Sequence, residues 1–164
     1  MAGLEPLVAL GLACNILQLA GTAGKAIALV RQCYKDGALD PTLTNHANDL
    51  KKLADHVQDT CNQAATGTTA NIPGNTSRDD QLVDLATKCI KATHDLQQEV
   101  ASINSTTGKT KSLRALRMSF KAFTRKGRLD DLSRTMTQAE RILASGLLAN
   151  ILWVLLLECE GLDC

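Results

Sequence analysis

Residues 82–103 read LVDLATKCIKATHDLQQEVASI, and the spacing of apolar and small residues in this stretch decides the fold class. Leu82, Leu85, Cys89, Ala92, Leu96 and Ile103 advance by alternating steps of three and four, with one position skipped. That period gathers them on one face of a helix and leaves a polar face opposite. The same rule governs Leu43, Ala47, Leu50, Ala54, Val57, Cys61 and Ala64. It returns in Leu129, Leu132, Met136, Ala139, Leu143 and Gly146, where Ile142 and Leu147 widen the stripe. Helices with one apolar stripe each must bury those stripes against one another. The chain therefore reads as all-α, a single helical bundle of four to five helices, mostly antiparallel, with long first and last helices. The bundle is expected over residues 1–157, with a short tail at 158–164.

Composition points the same way. Aromatics make up 2 % of the 164 residues while Leu and Ala dominate, so the core packs Leu against Ala, which suits closely spaced helices rather than strands. A formal net charge of +1 names no acidic partner by bulk charge. The six cysteines (Cys14, Cys33, Cys61, Cys89, Cys159, Cys164) form no C-x-x-C pair and have no His at metal-ligand spacing. They read as free thiols in a reducing compartment. The stretch from Leu7 to Ala20 is apolar enough for a signal peptide, but Met1 to Pro6 holds Glu5 and no Lys or Arg. The positive leading region is missing, so a cytoplasmic location is expected.

Helix boundaries are well marked. Asp36-Gly37 ends the first helix, since Gly accepts the left-handed conformation of a helix C-terminus. Asp40-Pro41 opens the second as an N-cap followed by Pro at the first helical position. Thr66 to Thr76 and Asn104 to Thr110 read as loops, with Ser77 or Asp79 capping the third helix and Ser112 a short fourth. Gly127 is expected to separate or kink that fourth helix from a last one over Arg128 to Leu157.

The first helix has no charge from Pro6 to Gly24. Over Leu4 to Lys35 it would measure about 48 Å, more than a bilayer core requires. Asn15, Gln18, Thr22, Lys25 and Gln32 share one narrow face, and Ala20, Gly24 and Ala28 form a small-residue ridge opposite, of the kind that admits a second helix backbone. Ten Leu, Ile or Val residues between Leu7 and Val30 favour membrane insertion by about 3–6 kcal/mol, and Lys25 alone opposes it by up to about 3. Asn15 and Gln18 add to the cost, so the balance is near zero: a core helix that is conditionally membrane-active. The candidate inserting residues are Leu7, Leu10, Leu12, Ile16, Leu17, Leu19, Ile27 and Val30.

Between Glu99 and Asp130 lie no acidic residues and eight of the eighteen basic ones: Lys109, Lys111, Arg114, Arg117, Lys121, Arg125, Lys126 and Arg128. Arg114, Arg117, Lys121, Arg125 and Arg128 make one helical stripe, and Leu113, Leu116, Phe120 and Phe123 a separate one. Such a cationic amphipathic helix suits anionic lipid, so the five basic residues are the candidate lipid-binding set. No Tyr or Trp accompanies them as a stacking platform, which argues against nucleic acid. Convergent catalytic groups are also missing: His46, His56 and His94 have no metal-ligand partner, and Gly21 to Lys25 only echoes a phosphate loop. No enzymatic activity and no cofactor are expected.

The opening LVALGLACNILQLAGTAGKAIALVRQCYKDGALDPTL, the segment LVDLATKCIKATHDLQQEV and the segment SFKAFTRKGRLDDLSRTMTQAERIL resemble the HeLo-like N-terminal domains of fungal NLR-type (STAND) and ankyrin-repeat proteins, which are related to the HET-S HeLo domain. The resemblance runs to about Asn150 and rests on patterns of apolar and small residues. It implies a helical bundle that permeabilises membranes or signals in programmed cell death or heterokaryon incompatibility. Activation would come from oligomerisation, with an NLR or amyloid-motif partner as trigger, and Leu7 to Val30 would be the membrane-entering element.

Overall fold

The computed structural model describes residues 6–38, 40–66, 76–105 and 111–160, without the side chains of 6–7, 64–66, 76–79, 111–115, 117–118 and 147–160. All regular structure among them is α-helical: α1 (Pro6–Asp36), α2 (Thr42–Thr66), α3 (Thr76–Asn104) and α4 (Lys111–Glu160). The chain is thus all-helical with long first and last helices. α1 packs against each of the other three, α3 also packs against α2 and α4, and α2 does not touch α4 among the described residues.

The turn from α1 to α2 forms as the residues dictate. Gly37 adopts a φ of 65° and its amide donates to the Cys33 carbonyl at 3.0 Å, closing α1. Asp40 caps α2: its carboxylate accepts from the Thr42 amide at 2.8 Å and the Thr42 hydroxyl at 2.6 Å. Those two bonds favour the ionised form and hold the Asp40 carboxyl below its ordinary value.

The apolar stripes meet in one core. Leu43, Leu50, Ala54 and Val57 of α2, Leu85, Cys89, Ala92, Leu96 and Ile103 of α3, and Leu129, Leu132, Met136, Ala139 and Leu143 of α4 are buried. They close on Leu12, Ile16, Leu19, Ala23, Ile27 and Val30 of α1. Burial pushes the Cys89 thiol up to about 11 and raises that of Cys61, as expected for thiols placed among hydrocarbon. The buried Thr93 hydroxyl donates to the Cys89 carbonyl at 2.9 Å, so it leaves no orphan donor.

One expectation requires correction. Gly127 does not separate two helices: α4 runs unbroken from Lys111 to Glu160. A Cβ at Gly127 would meet nothing within 4 Å, so this glycine answers to no close approach. Its intrinsic penalty, about 1 kcal/mol relative to Ala, is smaller than the gain from packing the residues on either side of it.

Continuity has a consequence for burial. At ~100° per residue, the stripe from Leu129 to Leu143 and the stripe containing Leu116, Phe120 and Phe123 fall on opposite sides of one straight helix. Both cannot face the core. The longer C-terminal stripe is buried, and Leu116, Phe120 and Phe123 are left 73 %, 70 % and 87 % exposed.

Candidate functional site

α1 is the candidate functional element, and most of its proposed membrane-inserting residues now sit in the core. Leu12, Ile16, Leu19, Ile27 and Val30 are at most 2 % exposed, Leu17 is partly buried, and Leu10 is half exposed. The Leu7 side chain lies outside the described ones. Of the polar face, Gln18, Lys25 and Gln32 are exposed while Asn15 and Thr22 are partly so. Val8–Asp36 is long and apolar enough to cross a membrane, and 44 % of its most apolar window is buried within the chain. α1 is therefore the hub of the packing without being enclosed by it.

The small-residue ridge behaves differently at its two ends. Ala20 is buried, whereas Gly24 and Ala28 are exposed and nothing lies within 4 Å of a Cβ built on Gly24. Among the described residues no helix approaches Gly24 closely, so the expected close packing on the ridge is not made there.

Polar groups fasten the C-terminal end of α1. Tyr34 is buried and its hydroxyl donates to Glu99 Oε1 on α3. The Glu99 side chain is 1 % exposed and its second oxygen accepts from Arg125 Nη1 of α4 at 2.5 Å. Arg128 Nη2 donates to Asp95 Oδ1 at 2.7 Å, and Lys121 Nζ donates to the Ser102 carbonyl at 2.8 Å and its hydroxyl at 3.0 Å. On the other side of α4, Arg31 of α1 pairs with Asp130 at 2.7 Å. A carboxylate as deeply buried as Glu99 is tolerated only when paired and hydrogen-bonded on both oxygens. Glu99 meets that condition with one partner from α1 and one from α4.

The expected lipid-binding stripe is thereby placed. Lys121, Arg125 and Arg128 face α3 and are engaged there, with the Arg125 and Arg128 side chains still 34 % and 39 % exposed. The side chains of Arg114 and Arg117 lie outside the described ones.

Tyr34, Glu99, Asp95 and Arg31 were not anticipated as site residues. A signal for Glu99 existed: it occupies the skipped position in the stripe of residues 82–103. A charge at a core register position demands a partner, and the unopposed basic run that follows supplies one.

Among the described residues no three His, Cys, Asp or Glu converge as metal ligands. Cys14, Cys33, Cys61 and Cys89 are free thiols. No protein-family model, no curated protein and no solved structure matches the chain.

Proposed function

We propose that the chain is a membrane-targeting effector or signalling domain of fungal programmed cell death or heterokaryon incompatibility. It acts without enzymatic chemistry from a mostly antiparallel four-helix bundle of the HeLo-like kind. In its resting state it is cytoplasmic, and after oligomerisation, prompted by an NLR or amyloid-motif partner, α1 leaves the bundle and enters the membrane.

The observation that carries this reading is the double character of α1: it is long and apolar enough to span, and it contributes the centre of the core. For its apolar residues the move exchanges one hydrocarbon environment for another, so burial of Leu12, Ile16, Leu19, Ile27 and Val30 neither forbids nor drives it. The opposing terms are the exposure of the α2, α3 and α4 core residues that close on α1, the cost of Lys25, Asn15 and Gln18 inside the bilayer, and the Tyr34–Glu99 bond that must break.

Gly24→Asp tests the proposal. Gly24 is exposed with open space beside it, so Asp there leaves the folded chain unstrained. In a membrane the new carboxylate opposes insertion by up to about 3 kcal/mol, a factor of roughly 100. Dye release from anionic vesicles should fall by that order while the thermal midpoint stays within a few degrees. Equal leakage from the variant and the parent would remove α1 from the mechanism.

The exposed Gly24 and Ala28 favour one second reading, a non-enzymatic interaction module of an NLR-like system that docks a partner helix on this ridge. Complex formation without membrane that persists at high salt would support it.

A further inference from the structure

Leu116, Phe120 and Phe123 form a row of large apolar side chains that stays mostly exposed among the described residues. Extending the same line of α4 by ~100° per residue brings Arg134 and Arg141 within a 60° sector, about 37 Å end to end. Arg134 and Arg141 are exposed and, with Arg31 of α1 and Asp130, line an open groove of about 450 Å³. Lys126, also exposed, flanks Phe123 on this side. Four cations (Arg31, Lys126, Arg134, Arg141) thus stand with two carboxylates, Asp130 at 2.7 Å from Arg31 and Asp131 at 3.7 Å from Arg134, an excess of two positive charges.

From this geometry we infer that the outer line of α4 is a docking surface for an anionic phospholipid bilayer: Leu116, Phe120 and Phe123 enter the acyl boundary while Arg134 and Arg141 meet the headgroup phosphates. The inference rests on the membrane reading above and assigns its first contact to a different face from the stripe of Lys121, Arg125 and Arg128, which α3 already engages. Charge chooses the occupant. An apolar row continued along the same line by a net positive groove complements an anionic bilayer, which offers an acyl boundary to the one and phosphates to the other. A second copy of the chain would bring the same excess of positive charge to the contact.

The test is sedimentation of the full chain with phosphatidylcholine vesicles and with vesicles containing 30 mol % phosphatidylserine, scored beside dye release. The parent should bind the anionic vesicles and not the neutral ones. Phe120→Ser with Phe123→Ser should weaken that binding at least about tenfold, since each Phe loses its burial. Arg134→Glu with Arg141→Glu should weaken it at least about 25-fold, as each basic residue near an anionic surface contributes about a factor of five. Lys51→Glu with Lys52→Glu makes the same charge change on an exposed part of α2, which does not touch α4 among the described residues, and should leave binding close to the parent's.

Binding that survives both α4 variants overturns the inference. So does equal loss in the α2 control, or a parent that binds neither vesicle or both alike. A lipid-free dimer abolished by Phe120→Ser with Phe123→Ser would give the face to a second copy, and also overturns it. The two proposals separate cleanly: vesicle binding in this pattern without leakage leaves docking standing and removes α1 insertion. Undiminished leakage from the α4 variants does the reverse.

Discussion

Removing the Glu99 carboxylate would strip two buried or half-buried groups of their partner at once. In Glu99→Ala the Tyr34 hydroxyl, on a residue 3 % exposed, loses its acceptor, and the Arg125 guanidinium is left with no counter-charge at that point. Breaking a buried ion pair by deleting one member costs roughly 3–5 kcal/mol. Arg125 is 34 % exposed and regains some hydration, which places the expected loss near the lower end, about 3 kcal/mol. For a domain of this size that corresponds to a fall in Tm of about 6–12 °C.

The same physics predicts a rescue. Tyr34→Phe with Glu99→Leu and Arg125→Met replaces every polar member by an apolar side chain of similar size. Such replacements are typically close to neutral, so the triple variant should recover to within about 1 kcal/mol of the parent. Urea unfolding followed by circular dichroism measures all three proteins, with an unchanged slope required before the midpoints are compared. A single variant that loses less than about 1 kcal/mol, or a triple variant no better than the single, would refute the view that burial and mutual pairing set the energetics of this cluster.

Other outcomes follow from the same structure. Gly127→Ala should stabilise by about 0.5–1 kcal/mol in urea unfolding, because the helix is continuous and the added methyl meets nothing; destabilisation would restore a break there. Asp40 should make stability fall in acid: its carboxyl is held below the ordinary 3.8, so its contribution is complete above that pH and is lost as pH drops through the lowered value. Asp40→Asn keeps a cap and should flatten the Tm-versus-pH curve in this window; an unchanged slope would assign the acid sensitivity elsewhere. Brief maleimide labelling read by mass spectrometry should modify exposed Cys14 well before Cys89, whose buried thiol is shifted up to about 11. Equal labelling of the two would mean that α3 does not stay packed.

How far the sequence foretold this fold can be seen in three places. The alternating steps of three and four in α2, α3 and the second half of α4 named core residues, since a helix has only one face to offer a neighbour. The capping of α2 by Asp40 and the closure of α1 at Gly37 were legible because both are local chemistry. The basic run was legible as a stripe but not in its direction. Its orientation depends on whether α4 is one helix or two, and that is decided by packing on both sides of Gly127 rather than by the glycine's own propensity. Once α4 is continuous, the buried stripe of Leu129 to Leu143 carries Arg125 and Arg128 toward α3 and turns Phe120 and Phe123 outward. The Ala20-Gly24-Ala28 ridge shows the same limit: spacing gave a smooth surface but not the helix to lie on it. Glu99 was hidden by its own register, as a gap in an apolar stripe.

Movement of α1 from core to membrane is most directly measured by the depth of a label on that helix. Cys14 is exposed in the folded chain and lies well inside the apolar stretch of α1. An environment-sensitive fluorophore on Cys14, with the other cysteines replaced by alanine or serine, can be exposed to lipids carrying quenchers at defined depths in phosphatidylserine-containing vesicles. Insertion of α1 predicts that quenchers deep in the acyl region act on the label when the chain permeabilises the vesicles, and that Gly24→Asp abolishes the effect. A label that stays in water, or at headgroup depth, while dye release proceeds would contradict it.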